Sequence, residues 1–150
     1  MSILLTGGTG KTSKCLTPIL QDAKIPFIIA SRKAEAGTSG GMPAVKFDWM
    51  DSSTWASVFQ HGPVSAVYLV APDGVSDEER NKAMNDFIDL AVKEHGVRRF
   101  VLVGGSTLEI GKHYTGKVWQ RLADDNLEYC VLRCTWFMGM SKCAQANILC

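Results

Sequence analysis

The chain has 150 residues, 46% of them hydrophobic and 21% charged, with a formal net charge of +1. That length is enough for one domain with a real core, and the near-neutral balance excludes an electrostatic case for nucleic acid or an anionic membrane surface. No apolar run approaches the length needed to span a bilayer, and the N-terminus lacks the basic, apolar, small-residue order of a secretion signal.

The first element is the short apolar run Ser2-Ile3-Leu4-Leu5, which breaks at once into Thr6-Gly7-Gly8-Thr9-Gly10. A helix over residues 11–21 is expected next, with Pro18 disturbing its later turns unless the helix bends there. A buried strand, a glycine-rich turn and a helix in this order open a dinucleotide-binding fold. The glycines let the backbone turn sharply and approach a pyrophosphate at the positive end of the helix. The motif reads G-G-x-G rather than the full G-x-G-x-x-G, with Ser13 in the place of the last glycine. Gly10-Lys11-Thr12 resembles the end of a P-loop, but the glycine required five residues earlier is Leu5, inside the strand. A glycine-rich turn that binds nothing is the plain alternative.

Further apolar runs follow at Phe27-Ile28-Ile29-Ala30, Ala44-Val45-Lys46-Phe47, Ala66-Val67-Tyr68-Leu69-Val70, Phe100-Val101-Leu102-Val103 and Tyr129-Cys130-Val131-Leu132. Most are continuous rather than alternating, as in strands buried on both faces. Gly37-Thr38-Ser39-Gly40-Gly41, where a second helix belongs, reads as a flexible loop. A short helix is expected over residues 54–60 and another over 115–123. Between the fourth and fifth runs Ser76 and Glu79 form a capping box, Met84, Phe87, Ile88, Ala91 and Val92 make one apolar stripe, and Gly96 supplies the stop. The repeat of strand and helix predicts an α/β fold: a Rossmann-like, doubly wound parallel sheet of about six strands in a single domain.

Five cysteines and three histidines show neither a C-x-x-C pair nor metal-ligand spacing, so no metal is expected. Free thiols in a reducing, cytoplasmic setting are the expected state. At the end of the second strand, Ala30-Ser31-Arg32-Lys33 lacks the carboxylate that binds the ribose 2′-hydroxyl of NAD. Arg32 instead suits a 2′-phosphate, with Ser31 as a donor, so NADP(H) is expected over NAD(H). The alternative there is a solvated basic loop. Asp48 is placed either to meet an adenine edge or to cap the helix that follows.

Leu4 to Thr12, Ser31-Arg32, Phe47-Asp48-Trp49, Tyr68-Leu69-Val70-Ala71-Pro72, Phe100 to Ser106 and Leu132-Arg133-Cys134-Thr135-Trp136-Phe137-Met138 together resemble the NmrA-like, atypical short-chain dehydrogenase/reductases. Within them the chain looks closest to the fungal ergot alkaloid dehydrogenases, of the agroclavine and festuclavine synthase type. The resemblance implies an NAD(P)-binding Rossmann domain over residues 1–138 and reduction of an iminium formed when a tricyclic aldehyde closes onto its own amine. Carried over by position, Gly7, Gly10 and Lys11 face the pyrophosphate, flanked by Gly8, Thr9 and Thr12. Ser31 and Arg32 face the 2′-phosphate, Ala71 and Pro72 pass near the nicotinamide ribose, and Gly104, Gly105 and Ser106 border the pocket. Cys134 stands where the family usually has proline. Residues 139–150 do not match, and relatives continue into a substrate lobe that this chain mostly lacks, so the chain reads as a C-terminally truncated product, a frameshifted one or a specialised short form, with a divergent tail.

Short-chain reductases use Tyr-x-x-x-Lys; Tyr114 and Lys117 are one residue closer but could share a helix face, and Ser106 sits where a third polar partner would lie. A surface tyrosine and lysine, and a loop serine, are the alternative. An iminium carbon is already electrophilic, so its reduction needs positioning and exclusion of water more than an acid. The leading expectation is an NADPH-dependent reductase of a cyclic iminium in fungal alkaloid formation, acting on a small molecule. The alternatives are a non-redox cyclase or isomerase using the same cleft, and a nucleotide-sensing interaction protein. A homodimer that covers an open cleft is compatible with each.

Overall fold

The computed structural model describes residues 1–34, 37–39 and 42–135. Strands β1 (Ser2–Thr6), β2 (Phe27–Ser31), β3 (Gly37–Ser39), β4 (Met42–Lys46), β5 (Val64–Val70), β6 (Arg99–Gly105) and β7 (Glu128–Cys134) alternate with helices α1 (Lys11–Asp22), α2 (Asp77–Lys93) and α3 (Gly116–Asp124). The sheet order is β3-β4-β2-β1-β5-β6-β7. Six strands are parallel, and β3 alone runs antiparallel, against β4. The loop expected at Gly37 is therefore corrected over Gly37–Ser39. Antiparallel neighbours need only a tight turn between them, whereas a parallel crossover needs a dozen residues or more. Residues 40 and 41 lie outside the described residues, as do Trp136 to Met138 and the tail at 139–150.

Successive residues of a strand face opposite sides of the sheet, and the two cores follow from that. Leu4, Ile28, Val67 and Leu69 join Met84, Phe87, Ile88 and Ala91 of α2 on one face. Leu5, Phe27, Ile29 and Tyr68 join Leu20 of α1 on the other. β7 departs from the expected two-sided burial: Tyr129 is 42% and Leu132 39% exposed, because β7 is the outer strand of the described sheet.

Local chemistry explains where the helices begin and end. Ser76 Oγ accepts from the Glu79 N–H at 3.2 Å and Glu79 Oε2 accepts from the Ser76 N–H at 3.0 Å, which is the predicted capping box. Helix α1 continues through Pro18, whose missing N–H leaves the Lys14 carbonyl to the Thr17 hydroxyl, 3.5 Å away. Two 3-10 turns, Ser52–Thr54 and Ala56–His61, replace the expected short α-helix. Asp51 caps the first of them, accepting from the Ser53 N–H at 3.1 Å, so the capping role offered to Asp48 is corrected. The hydrogen bonds from Ser53 hold the Asp51 carboxyl below its ordinary value.

Helices α1, α2 and α3 each stop at a left-handed residue. Lys24 (φ 55°), Gly96 (φ 66°) and Asn126 (φ 50°) turn left-handed. The next N–H reaches back to a carbonyl: Ile25 to Leu20 at 2.9 Å, Val97 to Ala91 at 2.9 Å and Leu127 to Leu122 at 3.1 Å. Only glycine adopts this conformation without steric cost. Lys24→Gly is therefore expected to stabilise the protein by about 1 kcal/mol and to raise Tm by about 2–4 °C. A fall in Tm in a thermal scan would contradict the left-handed stop at Lys24.

Candidate functional site

The direction of strand-to-strand progression reverses at β1, with β2 on one side and β5 on the other. In an open parallel sheet the crevice beyond the strand ends at such a point is where ligands bind. A cleft of about 770 Å³ lies there, lined by Gly10, Lys11 and Thr12 after β1, by Val70 at the end of β5 with Ala71 and Asp73 beyond it, by Gly104 and Gly105 at the end of β6, and by His113, Tyr114 and Cys134.

The first turn is shaped by contact. Gly7 is left-handed (φ 63°), and a Cβ on it would meet Val70 Cβ at 3.0 Å. A Cβ on Gly8 would meet Ile29 Cγ2 at 2.6 Å and the Leu5 carbonyl at 3.1 Å, while the Gly8 N–H donates to the Ala30 carbonyl at 3.0 Å. Ser13, in the place of the motif's last glycine, is fully buried, and its Oγ has no hydrogen-bond partner. Gly10 caps α1 without a side chain, and the first turn of α1 contains no acidic residue. The first N–H groups of α1 thus keep their hydrogen-bonding capacity and their positive field for an anion. Thr6 Oγ1 donates to the Tyr68 carbonyl and accepts from the Val70 N–H, each at 2.8 Å, and the Trp49 indole donates to the Val70 carbonyl at 3.0 Å. These bonds seat the end of β5 against Gly7.

At the end of β2, Ser31 Oγ lies 2.9 Å from Thr9 Oγ1 and accepts from the Lys33 N–H at 3.3 Å, with Arg32 and Lys33 exposed beside it. Gly8 and Thr9 also line a smaller cavity of about 220 Å³ with Lys14 and Thr17. Asp48 is spent locally: its carboxylate accepts from the Met50 N–H at 3.0 Å, and it is not among the cleft-lining residues. Pro72 also stays out of the lining, and its carbonyl accepts from Arg80 Nε at 3.0 Å.

The Tyr114–Lys117 pair does not share a helix face. Tyr114 precedes α3 in a left-handed conformation (φ 58°), whereas Lys117 is exposed on the helix and outside the cleft lining. Burial, with Asp73 nearby, pushes the Tyr114 phenol above its ordinary value, the opposite of what a lysine-activated tyrosine needs. Ser106 is exposed, and its carbonyl accepts from Arg133 Nη2 at 2.5 Å; Thr107 takes the place in the cleft. Sequence reasoning missed the residues that hold Tyr114. Asp77 Oδ2 accepts its N–H at 2.7 Å, Asn81 Nδ2 donates to its carbonyl at 2.6 Å, and the Arg80 guanidinium lies 4.5 Å from its ring centroid. Their spacing on one helix face was visible in the sequence, but the loop they grip was not.

The described residues fit a dinucleotide: a glycine turn at a helix N-terminus free of acid, a cleft of sufficient size, and hydroxyls with cations at the end of β2. The profile of the NAD(P)H-binding family matches residues 7–139. The chain belongs to the NAD(P)H-binding family. Among curated proteins it is 41% identical over 147 residues to festuclavine synthase I of Penicillium roqueforti, covering 92% of this chain and 48% of that protein. It is 36% identical over 143 residues to agroclavine dehydrogenase of Claviceps purpurea, covering 92% of this chain and 47% of that one. The chain thus spans about half the length of the curated relatives it matches. Among solved structures, a nucleoside-diphosphate-sugar epimerase of Staphylococcus aureus aligns with a TM-score of 0.71 at 20% identity, over 89% of this chain and 50% of that one. The UDP-glucose 4-epimerase of Thermus thermophilus, solved with NAD, aligns with a TM-score of 0.70 at 18% identity, over 89% of this chain and 54% of that one. At these identities the structures establish the fold alone. Among the described residues no group of three or more His, Cys, Asp or Glu could hold a metal ion, and no helix is long and apolar enough to cross a membrane.

Proposed function

We propose that the chain is the cofactor-binding part of an NADPH-dependent reductase acting on a cyclic iminium, of the kind formed in fungal ergot alkaloid synthesis. The observation that carries the cofactor choice is the end of β2, where Thr9 and Ser31 hydroxyls sit 2.9 Å apart beside Arg32 and Lys33. A 2′-phosphate would find donors and positive charge there, and the adenosine of NAD would find no carboxylate to pair its 2′-hydroxyl. The substrate class rests on the likeness to festuclavine synthase I and agroclavine dehydrogenase.

Bound NADPH would supply the hydride. The chain's own part is to hold the pyrophosphate at the start of α1, to orient the far half of the cofactor over the ends of β5 and β6, and to wall off water there. An iminium nitrogen already carries the positive charge, so no acid has to protonate it. The Tyr114 phenol, protonated at neutral pH like any tyrosine and moved further from ionisation by burial, is available there as a hydrogen-bond donor and not as a base.

Calorimetric titration with NADPH beside NADH tests the reading. A charge-assisted contact is worth about 1.5–3 kcal/mol, so Arg32→Ala is expected to weaken NADPH by about 10- to 100-fold and to leave NADH unchanged. Equal loss for both nucleotides would remove Arg32 from the 2′-phosphate site. No heat with either nucleotide in the unaltered chain would overturn the reductase reading.

A further inference from the structure

We propose that Asp77, Arg80 and Asn81 of α2 are positioning residues that lock Tyr114 as the wall against which the nicotinamide half of a bound dinucleotide rests. The inference rests on the dinucleotide reading above.

A tyrosine at φ 58° is in a conformation that L side chains avoid, by roughly 1–2 kcal/mol. The surrounding structure has to impose it. The Tyr114 N–H is held by Asp77, its carbonyl by Asn81, and its ring lies under the Arg80 guanidinium, so backbone and side chain are fixed together. Arg80 is itself buried, its side chain only 7% exposed. It donates through Nε to the Pro72 carbonyl at 3.0 Å, through Nη2 to the Val75 carbonyl at 2.9 Å, and through Nη1 to Asp77. One buried cation therefore ties the loop between β5 and α2 to the loop between β6 and α3. Those loops contribute Ala71 and Asp73, and His113 and Tyr114, to the same cleft.

Strand order dictates what meets Tyr114. The glycine turn and the end of β2 take the pyrophosphate and adenosine side of a dinucleotide. The other half is then directed across the ends of β5 and β6, where Tyr114 lines the cleft. The ring offers a flat apolar face, and its O–H is one donor for a ribose hydroxyl or a carboxamide oxygen.

The test compares NADPH with 2′,5′-ADP, which has the adenosine and 2′-phosphate but no nicotinamide. Tyr114→Ala, Asp77→Ala and Asn81→Ala are each expected to weaken NADPH by about five- to twentyfold, the size of one lost contact, while 2′,5′-ADP stays within about twofold of the unaltered chain and so reports an intact fold. Asp77→Ala or Asn81→Ala added to Tyr114→Ala should cost nothing further, because the α2 residues act through the tyrosine. Unchanged NADPH affinity, equal loss of both ligands, or simple additivity in the double variants would overturn the proposal. If Asp77→Ala does not fold, the Asn81→Ala cycle decides alone. Failure of the unaltered chain to bind NADPH would sink the dinucleotide reading and this one together, whereas tight NADPH binding that ignores Tyr114→Ala would sink this one only.

Discussion

Phe87→Ala is expected to remove about 3–5 kcal/mol of folding stability. Phe87 is fully buried and packed against four other aromatic rings. Phe47, Trp49 and Trp55 meet it edge-on with ring centroids at 5.2, 5.4 and 5.8 Å, and Phe59 stacks on it at 6.0 Å. Truncation leaves a cavity whose walls come from β4 and its exit, the 3-10 turns and α2 at once. Rings held by neighbours on every side cannot collapse to fill it, so both the transfer and the cavity penalties apply. Trp49 also donates to the Val70 carbonyl at the cleft, so a loosened cluster is felt where the ligand would sit. Urea denaturation should show a lower midpoint with an unchanged slope. A loss below about 1 kcal/mol would mean that the rings do not form one cooperative core.

Gly116→Ala is expected to be the most damaging addition of a single methyl group. Its Cβ would lie 2.3 Å from the Glu109 carbonyl oxygen, a backbone atom that cannot turn aside. The segment is closed on itself: the Gly116 carbonyl accepts the Gly111 N–H at 2.8 Å, and the Gly116 N–H donates to the His113 carbonyl at 3.1 Å. Relief therefore requires breaking that closure and displacing His113 and Tyr114 at the cleft. Overpacking of this kind costs about 1–3 kcal/mol or more, a fall in Tm of roughly 3–9 °C. Gly105→Ala is the control, since an added Cβ there meets nothing within 4 Å. Equal Tm values for the two variants would show that the loop before α3 has room to yield.

The elements legible in the sequence were those set by local rules. Leu4 and Leu5 before the glycine turn, the Ser76–Glu79 box, the stripe from Met84 to Ala91 and the stop at Gly96 each need only nearby residues. All appear in the structure within a residue or two of the expected place. What failed depended on distant partners. Gly37–Ser39 is polar and glycine-rich, yet β4 supplies the backbone partners that make it a strand. Tyr114 and Lys117 have the spacing of one helix turn, yet Asp77 and Asn81, more than thirty positions away in the chain, hold Tyr114 out of the helix. Gly116 drew no notice because nothing in its neighbourhood reveals that the Glu109 carbonyl folds back against it.

The sequence by itself determined an α/β chain opening with a glycine turn, and a basic rather than acidic end to the second strand. Periodicity, capping and side-chain charge are properties of residues a few positions apart. The tertiary structure alone decided which strand ends meet at the reversal beside β1, that Tyr114 and not Ser106 or Lys117 faces the cleft, and that a buried Arg80 binds two loops into one rim. Those are choices among backbone groups far apart in the chain. They are settled only when the sheet brings carbonyls and side chains within hydrogen-bond reach and burial makes an unpaired group costly.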